Sequence, residues 1–136
     1  MSHNPPDALP RIDRDLVEQV RQLETVRPGV LRQLVTMFEQ NTARLLGDID
    51  ARLAARQTDA LRVAFHSLKG TSASLGALRL SQLAAIAEGI AAGEDDAAAA
   101  LPPLATALRA EFAAACAELE TVARSGDSVR LSPNIT

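Results

Sequence analysis

The sequence is poor in aromatic residues: its 136 residues include no Trp and no Tyr, and three Phe make up the 2% aromatic content. β-Sandwiches and barrels rely on aromatic and β-branched side chains to cover their pleated surfaces, so this shortage argues against an all-β fold. It also removes the stacking platform on which single-stranded nucleic acids bind. The hydrophobic residues, 47% of the chain, are mostly Ala and Leu, which lose little entropy in a helix. The composition therefore predicts an all-α protein.

Cysteine, positive charge and long apolar runs are scarce as well. The single cysteine, Cys116, cannot form an internal disulfide, which fits a reducing compartment. A net charge of −3 provides no basic field for nucleic acid or an anionic membrane. No apolar run approaches the roughly 20 residues that span a bilayer, and residues 1–10 lack the apolar stretch of a signal peptide. We therefore expect a cytoplasmic protein that binds neither nucleic acid nor membranes.

The two ends of the chain lack apolar periodicity. Residues 1–10 contain three prolines and are expected to form a flexible leader. Residues 125–136, which include Gly126 and Pro133, are expected to form a flexible C-terminal tail. Residues 11–124 between them are long enough for one domain with its own core.

Five segments of residues 11–124 have apolar residues at the three- and four-residue spacing of a helix. The first begins near Asp13, a residue type that caps helix N-termini. It turns Leu16, Val20 and Leu23 toward the core. The other four cover about residues 30–56, 58–75, 78–92 and 96–124.

Glycine and proline set the ends of two of these helices. Gly76 is a suitable C′ residue for the third helix. Pro102 and Pro103 are tolerated only in the first turn of a helix, so the regular part of the fifth is expected to start there. Short connections make neighbouring helices antiparallel. We predict an all-α, antiparallel up-down four-helix bundle with a short additional N-terminal helix.

The third predicted helix carries a polar stripe opposite its apolar one. The apolar stripe consists of Phe65, Leu68, Ser72 and Leu75. Residues three and four apart are neighbours on a helix surface. The opposite stripe is therefore formed by Asp59, Arg62, His66, Lys69, Gly70 and Ala73.

Three residues of that stripe are unusual together. His66 is the only histidine outside the leader, and Lys69 is the only lysine among fourteen basic residues. Gly70 costs about 1 kcal/mol relative to alanine inside a helix, and its missing side chain would let another protein approach the imidazole. A neutral imidazole offers a free lone pair, and an adjacent ammonium balances the charge of a phosphoryl group. These are the needs of a passive phosphoryl acceptor.

The spacing also allows a simpler interpretation. Gly70 could be the C′ residue of a helix that ends at Lys69, which would place His66 and Lys69 near its negative end. Leu68 and Leu75 argue against this interpretation, because they are seven residues apart and continue the apolar stripe. The spacing alone leaves both alternatives open.

The stretch AFHSLKGTSASLGALRLSQLAAIAE, residues 64–88, resembles the histidine-containing phosphotransfer (HPt) domain. The signature of that family is a histidine, a leucine two residues later, Lys-Gly at three and four, and a glycine about ten later. The matching residues here are His66, Leu68, Lys69, Gly70 and Gly76. The resemblance covers about residues 31–90. One departure is Phe65, since the family more often has Ala before the histidine.

The resemblance implies a role for each matching position. His66 would take the phosphoryl group on Nε2, and Lys69 would help to hold the phosphoryl oxygens. Gly70, with Arg62 and Ala73 beside it, would give a receiver domain access to the ring. Glu88 corresponds to a fourth-helix Gln or Glu that contacts the imidazole, and it would fix the tautomer by accepting a hydrogen bond from Nδ1.

The implied function is reversible phosphoryl exchange between His66 and the aspartate of a response-regulator receiver domain, with a hybrid sensor histidine kinase as a second partner. The chain shows no carboxylate cluster for a metal, so the receiver would bring its own Mg²⁺. We expect a monomeric phosphocarrier without cofactor or catalytic activity of its own. A lone usable histidine and the absence of metal-ligand spacing argue against an enzyme.

Two other functions compete with this one. The dimerisation helix of a histidine kinase usually has an acidic residue directly after the histidine and a Thr-Pro soon afterwards. Here Ser67 follows His66, and no proline occurs between it and Pro102. The alternative from another class is a helical adaptor or scaffold that binds a signalling partner without phosphotransfer. It predicts that His66→Gln leaves partner function intact.

Overall fold

The computed structural model describes residues 9–93 and 97–131, with the side chains of the last helix described up to Arg124. The described residues form helices and turns, and their one β-type pairing is an isolated bridge between Ile12 and Ala77. The elements in chain order are α1 (Arg14–Gln22), a 3₁₀ turn (Leu23–Thr25), α2 (Val30–Ala54), α3 (Thr58–Ser74), α4 (Leu78–Ala92) and α5 (Ala97–Leu131). The all-α prediction is confirmed. Of the predicted leader and tail, residues 1–8 and 132–136 lie outside the described part.

Helices α2 to α5 form the predicted four-helix bundle, and α1 is the short additional helix. Contacts join α2 to α3, α3 to α4, α4 to α5 and α5 back to α2, while α1 packs on α2. The largest fully buried hydrophobic side chains come from every helix and from the segment before α1; they are Phe65, Ile12, Leu46, Ile49, Leu68, Leu80, Leu101, Leu108, Leu119, Val17 and Val35.

Carboxylates cap the first two helices. Asp13 caps α1 as predicted, because its side chain accepts a hydrogen bond of 3.2 Å from the backbone N–H of Leu16. At the start of α2 the N-cap residue is Gly29, which has no side chain for this purpose. Glu24 supplies the missing acceptor, taking hydrogen bonds from the backbone N–H groups of Gly29 and Leu31 at 2.8 and 2.9 Å.

The fifth helix begins at Ala97, close to the predicted start at about residue 96. Its regular part was expected to start at the prolines, but the helix begins five residues before Pro102. It continues through Leu131, so its predicted end at Arg124 is wrong. Pro102 and Pro103 lack the N–H groups that would bond to the carbonyls of Ala98 and Ala99. All four residues are exposed, so water can replace the missing hydrogen bonds on this face of the helix.

The prediction that Leu23 faces the core is also wrong, because this side chain is 49% exposed. Helix α1 ends at Gln22, and Leu23 lies in the tighter 3₁₀ turn, where the helical spacing of apolar residues no longer applies. Val17 is the buried residue of α1 instead, with 1% exposure.

Gly76 is the C′ residue of α3, as predicted, because the helix ends at Ser74 and its C-cap is Leu75. Two features of the fold require a glycine there. Its φ is +77°, in the left-handed region. A Cβ at this position would lie 3.0 Å from the Cβ of Asp13 and 3.2 Å from a methyl carbon of Leu16. The segment before α1 approaches this closely because Asp13 N–H donates to the Gly76 carbonyl at 2.8 Å, and Leu78 N–H donates to the Arg11 carbonyl at 3.0 Å.

Candidate functional site

Helix α3 runs without interruption through Gly70 and ends at Ser74. The alternative in which the helix stops at Lys69 is therefore wrong. The stripe predicted to face outward does so. Its exposed members are Asp59, Arg62, His66, Gly70 and Ala73, and Lys69 is half-buried. The opposite stripe is buried, and Phe65, at the position where the resembling family more often has Ala, is 0% exposed.

The His66 ring is exposed but held in one orientation. Its side chain is 67% exposed, and Nδ1 lies 2.9 Å from Oε2 of Glu88 on α4. A carboxylate only accepts hydrogen bonds, so in the neutral ring Nδ1 carries the proton and donates it to Glu88. Nε2 is then the nitrogen with the free lone pair. Among the described residues no partner engages Nε2.

Glu88 also binds Lys69, the cation predicted to lie beside the histidine. Oε1 of Glu88 is 3.0 Å from Nζ of Lys69, so each carboxylate oxygen has its own partner. The Lys69 ammonium, and to a lesser degree the hydrogen bond from His66, lower the pKa of the Glu88 carboxyl below its usual value of 4.5. Glu88 is therefore a charged acceptor over the whole neutral range.

The close approach of α4 to α3 places Glu88 opposite His66. Ala84 and Ala87 are 0% exposed, and their small side chains let the two helices approach each other. The hydroxyl of Ser81 donates to the carbonyl of Lys69 at 3.0 Å, which fixes α4 against the residues just after His66. Ser81 was not among the residues predicted from the sequence. Its position seven residues before Glu88, on the same face of α4, was the available signal.

The two glycines of the signature have different roles. Gly76 is required by the fold, as described above. At Gly70 a Cβ would meet nothing within 4 Å, so the packing of this chain does not require a glycine there. A residue that costs stability and meets no neighbour leaves the surface beside His66 open to another molecule.

The remaining predicted residues surround this opening. Arg62 lies one turn before His66, is exposed, and forms no ion pair with a described residue. Ala73 is exposed on the other side of Gly70. Among the side chains of residues 9–93 and 97–124, no three from His, Cys, Asp or Glu come together as metal ligands.

A groove between α2 and α3, not predicted from the sequence, adjoins the same face. Its volume is about 230 Å³, and its apolar lining includes Met37, which is 47% exposed. Val63, on the exposed side of α3 before His66, is 57% exposed. The lining residues of the groove are Leu34, Met37, Phe38, Asn41, Thr71, Ser74 and Leu75.

Fold and site together define a class of protein: a small helical bundle that presents one oriented imidazole on an open face. The sequence model of the Hpt domain matches residues 33–135, which is most of the chain. This chain therefore belongs to the Hpt domain family, whose members are phosphotransfer carriers of phosphorelays.

The fold is similar to that of a rice protein described as a histidine-containing phosphotransfer protein. The crystal structure of that protein superposes with a TM-score of 0.75 at 21% sequence identity, and the match covers 88% of this chain and 85% of the rice chain. At this identity the match supports the bundle fold alone. No curated protein matches this chain. None of the described helices is both long and apolar enough to cross a membrane.

Proposed function

We propose that this chain carries a phosphoryl group on Nε2 of His66 and exchanges it with the aspartate of response-regulator receiver domains. The observation that supports this most directly is the pair formed by an exposed His66 ring and Glu88, with Nδ1 and Oε2 2.9 Å apart. An imidazole held in this way presents the lone pair of Nε2 to an incoming phosphorus atom.

The transfer step needs little from this chain besides position and charge. The lone pair of Nε2 attacks the phosphorus of an aspartyl phosphate, and the N–P bond forms while the P–O bond to the aspartate breaks. The bonding electrons leave on the aspartate carboxylate. The Nδ1 proton stays on the ring, where Glu88 accepts its hydrogen bond. Lys69 and Arg62 are the cations of this face that would balance the phosphoryl charge.

The receiver domain would supply the divalent ion, because phosphoryl transfer relies on such an ion to neutralise charge. In this role the chain is a phosphocarrier and needs no cofactor of its own. The receiver domain of a hybrid sensor histidine kinase would load His66, and a response regulator would unload it.

The receiver would dock over Gly70 and the α2–α3 groove. Its aspartate must come within bonding distance of Nε2 of His66, so its surface has to cover the neighbouring residues. Gly70 and Ala73 offer no bulk to exclude it, and Thr71 and Ser74, which line the groove, are the next residues along α3. We therefore propose that the groove receives an apolar side chain of the receiver.

Phosphotransfer from a receiver tests this function. The full chain is incubated with a receiver domain that has been phosphorylated with radiolabelled acetyl phosphate. We expect label that is acid-labile and alkali-stable to appear on this chain and to be missing from a His66→Gln variant. Label that never appears, or that persists in His66→Gln, would contradict the proposal. If the wild type binds the receiver but never takes label, and His66→Gln binds it equally well, the adaptor alternative is favoured.

A further inference from the structure

A single carboxylate serves both the nucleophile and the cation of the site. Oε2 of Glu88 lies 2.9 Å from Nδ1 of His66, and Oε1 lies 3.0 Å from Nζ of Lys69. The ammonium of Lys69, the only lysine of the chain, is therefore engaged by Glu88 before any phosphoryl group arrives. The ion pair is partly shielded from solvent, with the two side chains 38% and 21% exposed.

We propose that Glu88 and the phosphoryl group on His66 compete for Lys69, so that this competition limits how far His66 is phosphorylated at equilibrium. The inference rests on the proposed function and concerns the regulation of the same site. It assigns Glu88 two opposing effects. Accepting the Nδ1 hydrogen bond favours phosphorylation, whereas holding Lys69 opposes it.

The exchange of partners keeps all protons in place. When the N–P bond forms on Nε2 and the P–O bond of the aspartyl phosphate breaks, the imidazole retains its Nδ1 proton and the ammonium of Lys69 retains its three. Lys69 changes only its direction, from Oε1 of Glu88 toward the phosphoryl oxygens. A phosphoryl group brings a charge of about −1.5 to −2 and three acceptor oxygens, so it attracts the ammonium more strongly than one carboxylate does.

The charges of the site explain why the competition matters. In the resting site the positive charge of Lys69 and the negative charge of Glu88 cancel. A phosphoryl group therefore enters a neutral pair, and Arg62 is the other cation of the exposed stripe that carries His66. With a neutral amide in place of the carboxylate, Lys69 would be available without the loss of an ion pair.

A single substitution of Glu88 mixes the two effects, but a double-mutant cycle separates them. The cycle uses the wild type, Glu88→Gln, Lys69→Met and the double variant, all as full chains. The same receiver domain is first phosphorylated with radiolabelled acetyl phosphate and freed of excess donor. Each of the four chains is then equilibrated with it. The measured quantity is the ratio of label on this chain to label on the receiver.

We expect Glu88→Gln to shift this ratio toward the chain more in the presence of Lys69 than in the Lys69→Met background. The expected difference is roughly two- to fivefold, as for a partly exposed ion pair. Equal effects of Glu88→Gln in both backgrounds, or a larger shift without Lys69, would overturn the inference.

The matched control is Glu118→Gln, because Glu118 also pairs with a cation, Arg14, and its side chain is similarly exposed at 25%. It should leave the ratio unchanged. If the wild type takes no label from the receiver or from phosphoramidate, the proposed function itself fails. If the wild type is labelled but the cycle shows no coupling between Glu88 and Lys69, only the competition is excluded.

Discussion

Oε2 of Glu88 and Nδ1 of His66 are 2.9 Å apart across the interface of α3 and α4, although the two residues are separated by 22 positions in sequence. The orientation of the imidazole therefore depends on how these two helices pack. Ser81 links α4 to the Lys69 carbonyl, and the turn at Gly76 sets where α4 begins. Substitutions in the packing and in the turn should consequently affect the site.

Gly76→Ala should destabilise the protein. The alanine would have to adopt a φ of +77°, and its Cβ would lie 3.0 Å from that of Asp13. A strained left-handed residue costs of order 1–3 kcal/mol. Urea unfolding should show this loss in the free energy of unfolding. Unchanged stability would mean that the turn relaxes freely and does not fix α4.

Gly70→Ala should have the opposite effect on stability. Because a Cβ at this position meets nothing within 4 Å, the substitution should raise the free energy of unfolding by up to about 1 kcal/mol. Gly70→Met should also fold, but its side chain would stand between His66 and the receiver. We expect phosphotransfer to fall by at least about tenfold, since small misplacements of reacting groups are costly.

Gly47 provides the control for this experiment. It lies inside α2, and a Cβ at this position would likewise meet nothing within 4 Å. Gly47→Met should leave the transfer rate unchanged. If Gly70→Met and Gly47→Met transfer at the same rate, Gly70 has no role in access.

Ser72→Ala should stabilise the protein. Ser72 is 0% exposed, and its hydroxyl has no hydrogen-bond partner among the described residues. A buried hydroxyl without a partner costs about 1–3 kcal/mol, and alanine is also the better helix former. Thermal unfolding should therefore show a higher midpoint for Ser72→Ala. A lower midpoint would indicate that the hydroxyl makes a bond in solution.

The pair Glu39–Glu120 should make stability depend on pH. Burial, and then the hydrogen bond to Glu120, raise the pKa of Glu39 above 4.5. An acid with a raised pKa in the folded state contributes most to stability below 4.5, and this contribution is lost as the pH rises through the folded value. Glu39→Gln keeps a hydrogen-bond donor to Glu120 and removes the charge.

We therefore expect Glu39→Gln to be more stable than the wild type at neutral pH, by a small amount because solvent screens the pair. The difference should shrink as the pH falls toward 4.5. Glu120→Gln should be less stable at neutral pH, because it loses the ion pair with Arg32 at 2.7 Å. Urea unfolding of both variants between neutral pH and pH 4.5 would check the direction of each change in the free energy of unfolding.

Local patterns predicted most of the fold. The stripe of Phe65 and Leu68 located the buried face of α3, and Asp13 capped α1 as its residue type indicates. The errors arose where solvent or a neighbouring turn overrode the local pattern. Pro102 lies inside α5, where it and Ala98, the residue whose carbonyl it cannot bond, are both exposed to water. Leu23 is exposed because a 3₁₀ turn interrupts the periodicity.

Only part of the candidate site could be predicted from the sequence. The exposure of His66 and Gly70 followed from helical spacing, and Glu88 as the neighbour of the ring followed from the family resemblance. The ion pair between Glu88 and Lys69 did not follow, because it depends on how closely α4 approaches α3. Nor did the α2–α3 groove, since its shape depends on side chains of two helices that are far apart in sequence.

Identifying the nitrogen atom that carries the phosphoryl group is the most direct test of the proposed function. Nuclear magnetic resonance of the ¹⁵N-labelled chain, recorded after transfer from a phosphorylated receiver, reports which ring nitrogen of which histidine is bonded to phosphorus. We expect phosphorus on Nε2 of His66, with Nδ1 still protonated and donating to Glu88. Phosphorus on Nδ1, on another residue, or on no histidine of the chain would contradict the proposed function.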